Sequence, residues 1–288
     1  MVEFAQMRAL DVWYARLDLK TILPTIKDDE ARKRTRRRVE KAEASEVHEV
    51  DFPKLVTLEK GEPTIRDNPP LIYHLREQGG AEFEARVADA FARYRASLPD
   101  ERRVLLDRYQ RKDWALKVVG VGSVGTWCSV ILMMADADDP LFLQVKQAGA
   151  SVLEAYAGKS IYANHGQRVV AGQRLMQSAS DMFLGWTEGR EGRHFYIRQL
   201  NDMKIKMLVD LFTPKMMVQV AKFCGWALAR AHARAGQPAV IAGYLGKADQ
   251  FDEAVADFAI SYAEQNERDY EALVRAARQG RIEVHTES

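Results

Sequence analysis

The sequence predicts an α+β protein in which a β-rich middle is flanked by two mainly helical ends. Three observations carry this reading. Apolar residues recur at helical spacing near both ends, at Phe4, Met7, Leu10, Tyr14 and Leu17 and again over residues 214–235 and 250–278. Between Lys117 and Lys146 the apolar residues instead form short β-branched runs broken by glycines and by an Asp-rich turn. Between them, Phe52–Tyr73 is Pro-rich, with two short apolar runs around a turn. The implied organisation is a mainly helical segment with a small β-hairpin over residues 1–113, a β-rich lobe over 114–200 and a helical segment over 201–288.

Taken in order, residues 1–50 read as helix interrupted at Pro24. From Asp28 to Glu43 acids lead and bases follow, which suits a solvated helix and its dipole. Six of the seven residues from Arg32 to Arg38 are basic, but no aromatic residue interleaves for base stacking. Leu55–Leu58 and Thr64–Arg66, on either side of Glu59-Lys-Gly-Glu-Pro, predict a hairpin. Phe83, Val87, Ala90, Phe91 and Tyr94 predict a helix, and a second runs through Leu105 to Tyr109. Lys117–Met134 reads as strand, glycine turn, strand. Leu141–Lys146 reads as a short strand, Gly166–Gln177 as helix and His194–Leu200 as strand. No internal repeat is present at any solenoid period.

At 288 residues, with 47% hydrophobic and 29% charged, the chain can bury a core without staples and is neither fibrous nor disordered. Lys plus Arg (42) nearly balance Asp plus Glu (41), so no global field draws the protein to nucleic acid or an anionic membrane. The two cysteines, Cys128 and Cys224, form no disulfide or zinc pattern and are expected as buried free thiols in a cytoplasmic protein. The N-terminus lacks the basic and apolar regions of a signal peptide. Val118–Ala135 holds 18 residues without a charge, at the lower limit of a membrane span, yet its three Gly, two Ser and one Thr fit a buried β-hairpin better.

Gly120-Val-Gly122-Ser123-Val-Gly125 fits G-x-G-x-x-G, which dinucleotide folds and kinase-type phosphate loops share. A dinucleotide site needs a helix after the third glycine; here Thr126-Trp-Cys-Ser-Val-Ile-Leu favours a strand, and only ten residues precede the Asp136 turn. The kinase-type arrangement needs an antiparallel strand there and then a third strand carrying a lysine. Lys146 ends Leu-Phe-Leu-Gln-Val-Lys, 21 residues past Gly125, and Glu154 is available to fix it. A plain surface hairpin with a solvated lysine has the same spacing.

Longer stretches carry a family resemblance. Met7-Arg-Ala-Leu-Asp-Val-Trp-Tyr-Ala-Arg, Lys117–Thr126, Pro140–Lys146, Asn164-His-Gly-Gln-Arg-Val-Val, Leu184-Gly-Trp-Thr, Phe195-Tyr-Ile-Arg-Gln-Leu, Ala229–Gly236 and Tyr262–Tyr270 resemble the DUF2252 family, uncharacterised bacterial proteins with a kinase-like fold. The resemblance implies an antiparallel, β-rich, kinase-like nucleotide-binding lobe flanked by helices. Gly120, Gly122, Ser123, Gly125 and Lys146 would hold the phosphates of ATP, with Glu154 orienting the lysine. Gln199 and Leu200 would lie where backbone groups pair with adenine. It also implies circular permutation, with the catalytic loop (Gly-Asp-x-His-x-x-Asn-Phe-Gly) and an Asp-Phe-Asp-like metal motif N-terminal to the stretch matched, so that the chain corresponds to the C-terminal part only. No Gly-Asp-x-His-x-x-Asn occurs in the sequence. The chain alone is therefore expected to have no catalytic residues or metal ligands and to be inactive, with Mg²⁺ held only if a missing segment or a separate chain supplies the catalytic half. A second reading is a non-enzymatic binding or interaction protein, or a truncated gene remnant; a third is a dinucleotide enzyme. His232 is expected as a packed core histidine, while His165 divides between a structural turn and a ligand contact.

Overall fold

The computed structural model describes residues 1–26, 29–43, 52–75, 80–120, 125–200, 209 and 212–284. The chain opens with helices α1 (Val2–Gln6), α2 (Ala9–Tyr14) and α3 (Leu19–Ile22), a 3₁₀ turn at Leu23–Thr25, and α4 (Asp29–Glu43). The single N-terminal apolar face does not form. Met7 and Arg8 are extended (ψ 152° and 149°), which breaks the helical phase. Phe4 and Val12 are buried, while Leu10 and Tyr14 face outward. A short helix α5 (Phe52–Leu55) leads into the expected hairpin, β1 (Val56–Glu59) and β2 (Glu62–Ile65).

β3 (Ile72–Tyr73), helices α6 (Ala81–Ala96) and α7 (Asp100–Leu106), and strands β4 (Gln110–Lys117), β5 (Cys128–Met134) and β6 (Pro140–Ala148) follow. The strand before the glycine segment ends at Lys117, whereas the sequence pattern starts it there; residues 110–113, expected in the helical segment, belong to it. Beyond β6 come α8 (Glu154–Ala157), α9 (His165–Met176), β7 (Gly185–Glu188) and β8 (His194–Gln199). The last helices are α10 (Pro214–Ala235), α11 (Pro238–Leu245) and α12 (Gln250–Arg278).

Strands β3 to β8 form one antiparallel sheet in the order β3-β4-β5-β6-β8-β7. Every residue of β5 is buried, Ser129 included, so the apolar run Val130–Met134 marks a strand covered on both faces. On one face Ile131, Met133, Leu143 and Ile197 pack with Tyr94, Leu98 and Leu106 of the α6–α7 region. On the other, Ala115, Val130, Leu132 and Phe142 pack with Val56, Ile65 and Ile72.

Close approaches fix the helices on the sheet. A Cβ at Gly185 would lie 2.6 Å from Ser97 Oγ, and one at Gly166 would lie 2.1 Å from the Phe195 carbonyl oxygen. The buried Tyr94 hydroxyl donates to the Phe183 carbonyl at 2.7 Å, and burial pushes its pKa well above the ordinary tyrosine value. Arg230 of α10, 4% exposed, donates to the carbonyls of Ala15 and, at 3.1 Å, Met176, tying α10 to the ends of α2 and α9. Among the described residues no helix is long and apolar enough to cross a membrane. Cys128 is buried; Cys224, expected to be buried, is exposed on α10.

Candidate functional site

The glycine segment joins β4 to β5, and β6 carries Lys146 beside β5 in antiparallel register. Gly122 and Ser123 lie outside the described residues. Gly120 is exposed. Gly125 has φ +74° with open space where a Cβ would stand, so the left-handed backbone, not crowding, demands glycine there. Past it, the Trp127 N–H donates to the Gln147 side chain at 3.1 Å and the Gln147 N–H donates to the Trp127 carbonyl at 2.9 Å, clamping the start of β5 to β6.

Register aligns the polar residues in two rows across one sheet face. Cys128 stands opposite Lys146, which stands opposite Tyr196; Val130 stands opposite Gln144, which stands opposite Arg198. Side chains two apart share a face, so Lys146 and Arg198 project from the same side of the sheet. The Arg198 guanidinium donates to Gln144 Oε1 at 3.3 Å, and its buried Nε has no hydrogen-bond partner among the described residues. The Lys146 side chain forms neither a hydrogen bond nor an ion pair among the described residues. Burial pushes the Cys128 thiol up despite the opposing pull of the positive charges on Lys146, Lys117 and Arg198. Lys146 thus stands level with the start of β5, one row nearer the glycine segment than Arg198.

Two expected partners are engaged elsewhere. Glu154 begins α8, where its Oε1 accepts the Ser151 N–H at 3.4 Å while the Ser151 carbonyl accepts the Glu154 N–H at 3.0 Å. That is a reciprocal local turn just before α8, and no ion pair joins Glu154 to Lys146 among the described residues. The amides expected to meet adenine are also occupied. The Gln199 N–H donates to Asp181 Oδ2 at 2.6 Å and the Leu200 N–H to the Phe142 carbonyl at 2.8 Å. Leu200 also packs partly against the apolar cluster around Phe142.

The histidines divide differently from expectation. His232 is exposed, not packed, because α10 turns Arg230, Ala231 and Ala233 inward. His165 opens α9 behind its N-cap Asn164, donates its backbone N–H to His194 Nδ1 at 3.1 Å and sets its ring edge-on to His194. His74 is the centre of an arrangement that spacing does not reveal: Nδ1 meets Asp67 Oδ1 at 2.7 Å and Nε2 meets Asp113 Oδ2 at 3.0 Å. Burial works against its charged form, but the hydrogen bonds and charges of Asp113 and Asp67 outweigh that and raise its pKa. The two carboxylates sit on opposite ring nitrogens and so do not converge on one cation. No His, Cys, Asp or Glu cluster suited to a metal occurs among the described residues.

Residues 1–276 match the model of a family described as uncharacterized protein conserved in bacteria (DUF2252). The chain belongs to the DUF2252 family. The DUF2252 match covers nearly the whole chain, so the expected restriction to a C-terminal part of a permuted relative is not borne out. No match was found among curated proteins or among solved structures.

Proposed function

We propose that this DUF2252 protein binds a nucleoside polyphosphate, ATP in the first instance, on the sheet face bearing Lys146 and Arg198, with the Gly120–Gly125 segment covering the phosphates. The carrying observation is two cations on one sheet face beside a glycine segment, neither ion-paired to a carboxylate among the described residues. Buried or half-buried cations without an anion are costly, so the patch favours an anionic ligand. The strand order also supports the reading. A glycine segment between two antiparallel strands, a lysine on the third, and then a helix before two further strands is what a kinase-type loop requires. Phosphate binding by Arg198 joins Lys146 in this reading, while Glu154, Gln199 and Leu200 contribute through local structure.

The same geometry argues for binding without phosphoryl transfer by this chain alone. Helix α9, His165–Met176, contains no Asp or Glu to pair with Lys146. Transfer needs carboxylate-held Mg²⁺ and an acid orienting the acceptor hydroxyl, which the proposal assigns to a partner chain. The test is calorimetric titration with ATP of the wild type, Lys146→Ala and Arg198→Gln. Each loss of a charge-assisted phosphate contact is expected to weaken binding about 10- to 100-fold. Undetectable binding to the wild type, or unchanged affinity in both variants, overturns the reading.

A further inference from the structure

Helix α12 runs 29 residues, about 43 Å, and none of its residues is buried. It is nonetheless amphipathic. Phe258, Tyr262 and Tyr270 are 60–65% exposed, and Leu273 is 58% exposed. Together with Phe251, Val255, Asn266 and Ala277 they follow steps of 4-3-4-4-4-3-4, a set that stays within about a 120° arc of the helix. Phe251 meets the Tyr244 ring of α11 edge-on, but no residue of α12 is buried, and a stripe of this length, apolar apart from Asn266, marks an interaction surface.

The stripe itself indicates the occupant. Its spacing reads the same in both directions about residue 264. A second copy laid antiparallel across it places Val255 opposite Leu273, Phe258 opposite Tyr270, and Phe251 opposite Ala277. Charge selects the same orientation. Residues 250–264 carry Asp252, Glu253, Asp257 and Glu264 and no base, whereas residues 265–278 carry Arg268, Arg275 and Arg278 against three acids. Parallel pairing sets four acids against four acids; antiparallel pairing sets each acidic half against a half that bears bases. We infer that α12 is the self-association surface of this protein, forming an antiparallel two-helix interface with α12 of a second copy. Such a contact is isologous and closes at a dimer.

Sedimentation velocity on the full chain at tens of micromolar is expected to give a single species of twice 32.7 kDa. Phe258→Glu and, independently, Tyr270→Glu are expected to yield monomers with unchanged helical circular dichroism, since both side chains are largely exposed in the single chain. In a Cys224→Ser background, Val255→Cys with Leu273→Cys is expected to cross-link between chains on oxidation, and Val255→Cys alone is not. A monomeric or polydisperse wild type, a dimer that survives both glutamates, or cross-linking through Val255→Cys alone overturns the inference.

Discussion

His74 shows how one residue joins distant parts of the chain. Its ring spans Asp67, just beyond the hairpin, and Asp113 on β4, whose Oδ2 also accepts the Ile65 N–H at 2.6 Å. The raised pKa sets the sign of the pH dependence. A histidine that binds its proton more tightly when folded stabilises fully below its unfolded pKa of about 6.5, and that stabilisation fades as pH rises through the higher folded value. The wild type is therefore expected to exceed His74→Gln in stability by about 1–3 kcal/mol near pH 6. The margin should shrink towards pH 9; urea denaturation at the two pH values checks this, and a constant or widening margin contradicts it. The sequence hides this arrangement because Asp67 and Asp113 lie 7 and 39 positions from His74. Arg198 was hidden differently. It sits within a motif visible in the sequence, and only strand register puts it on the face of Lys146.

Elements were legible where local chemistry marks their ends. Helix α10 begins at Pro214 behind Thr213, whose hydroxyl accepts the Met216 N–H at 3.3 Å, and it stops before Gly236. β6 and β8 announce themselves by apolar runs, and the β1–β2 turn by Lys60 and Gly61, both at positive φ. The N-terminal helices were misread because a periodic stripe says nothing about a break at Met7–Arg8, and β7 was missed because four residues carry too little pattern. How α10 docks was also invisible, since it depends on one buried guanidinium reaching carbonyls at the ends of α2 and α9. Cations are favoured at helix C-termini, and removing this nearly buried guanidinium takes away its hydrogen bonds to both carbonyls. Arg230→Ala is expected to cost about 2–4 kcal/mol in chemical denaturation, and Arg230→Lys to recover little of it because lysine lacks the planar fork. A loss under about 0.5 kcal/mol, the range of ordinary surface substitutions, contradicts the docking role.

At the scale of the whole molecule, the α+β composition, the antiparallel middle and the helical ends follow from the sequence. The distribution of apolar surface does not. The sheet is covered on both faces, while α12 holds its stripe away from any core. Lys146 and Arg198 share the sheet face beside the glycine segment, where the proposed phosphate site lies. The most direct measurement is the affinity of the wild-type protein for adenosine, AMP, ADP and ATP under one buffer and salt condition. Affinity is expected to rise with each phosphate, and the ATP affinity to fall as salt screens the Lys146–Arg198 patch. Adenosine binding as tightly as ATP, or no binding of any member of the series, contradicts the proposed phosphate site.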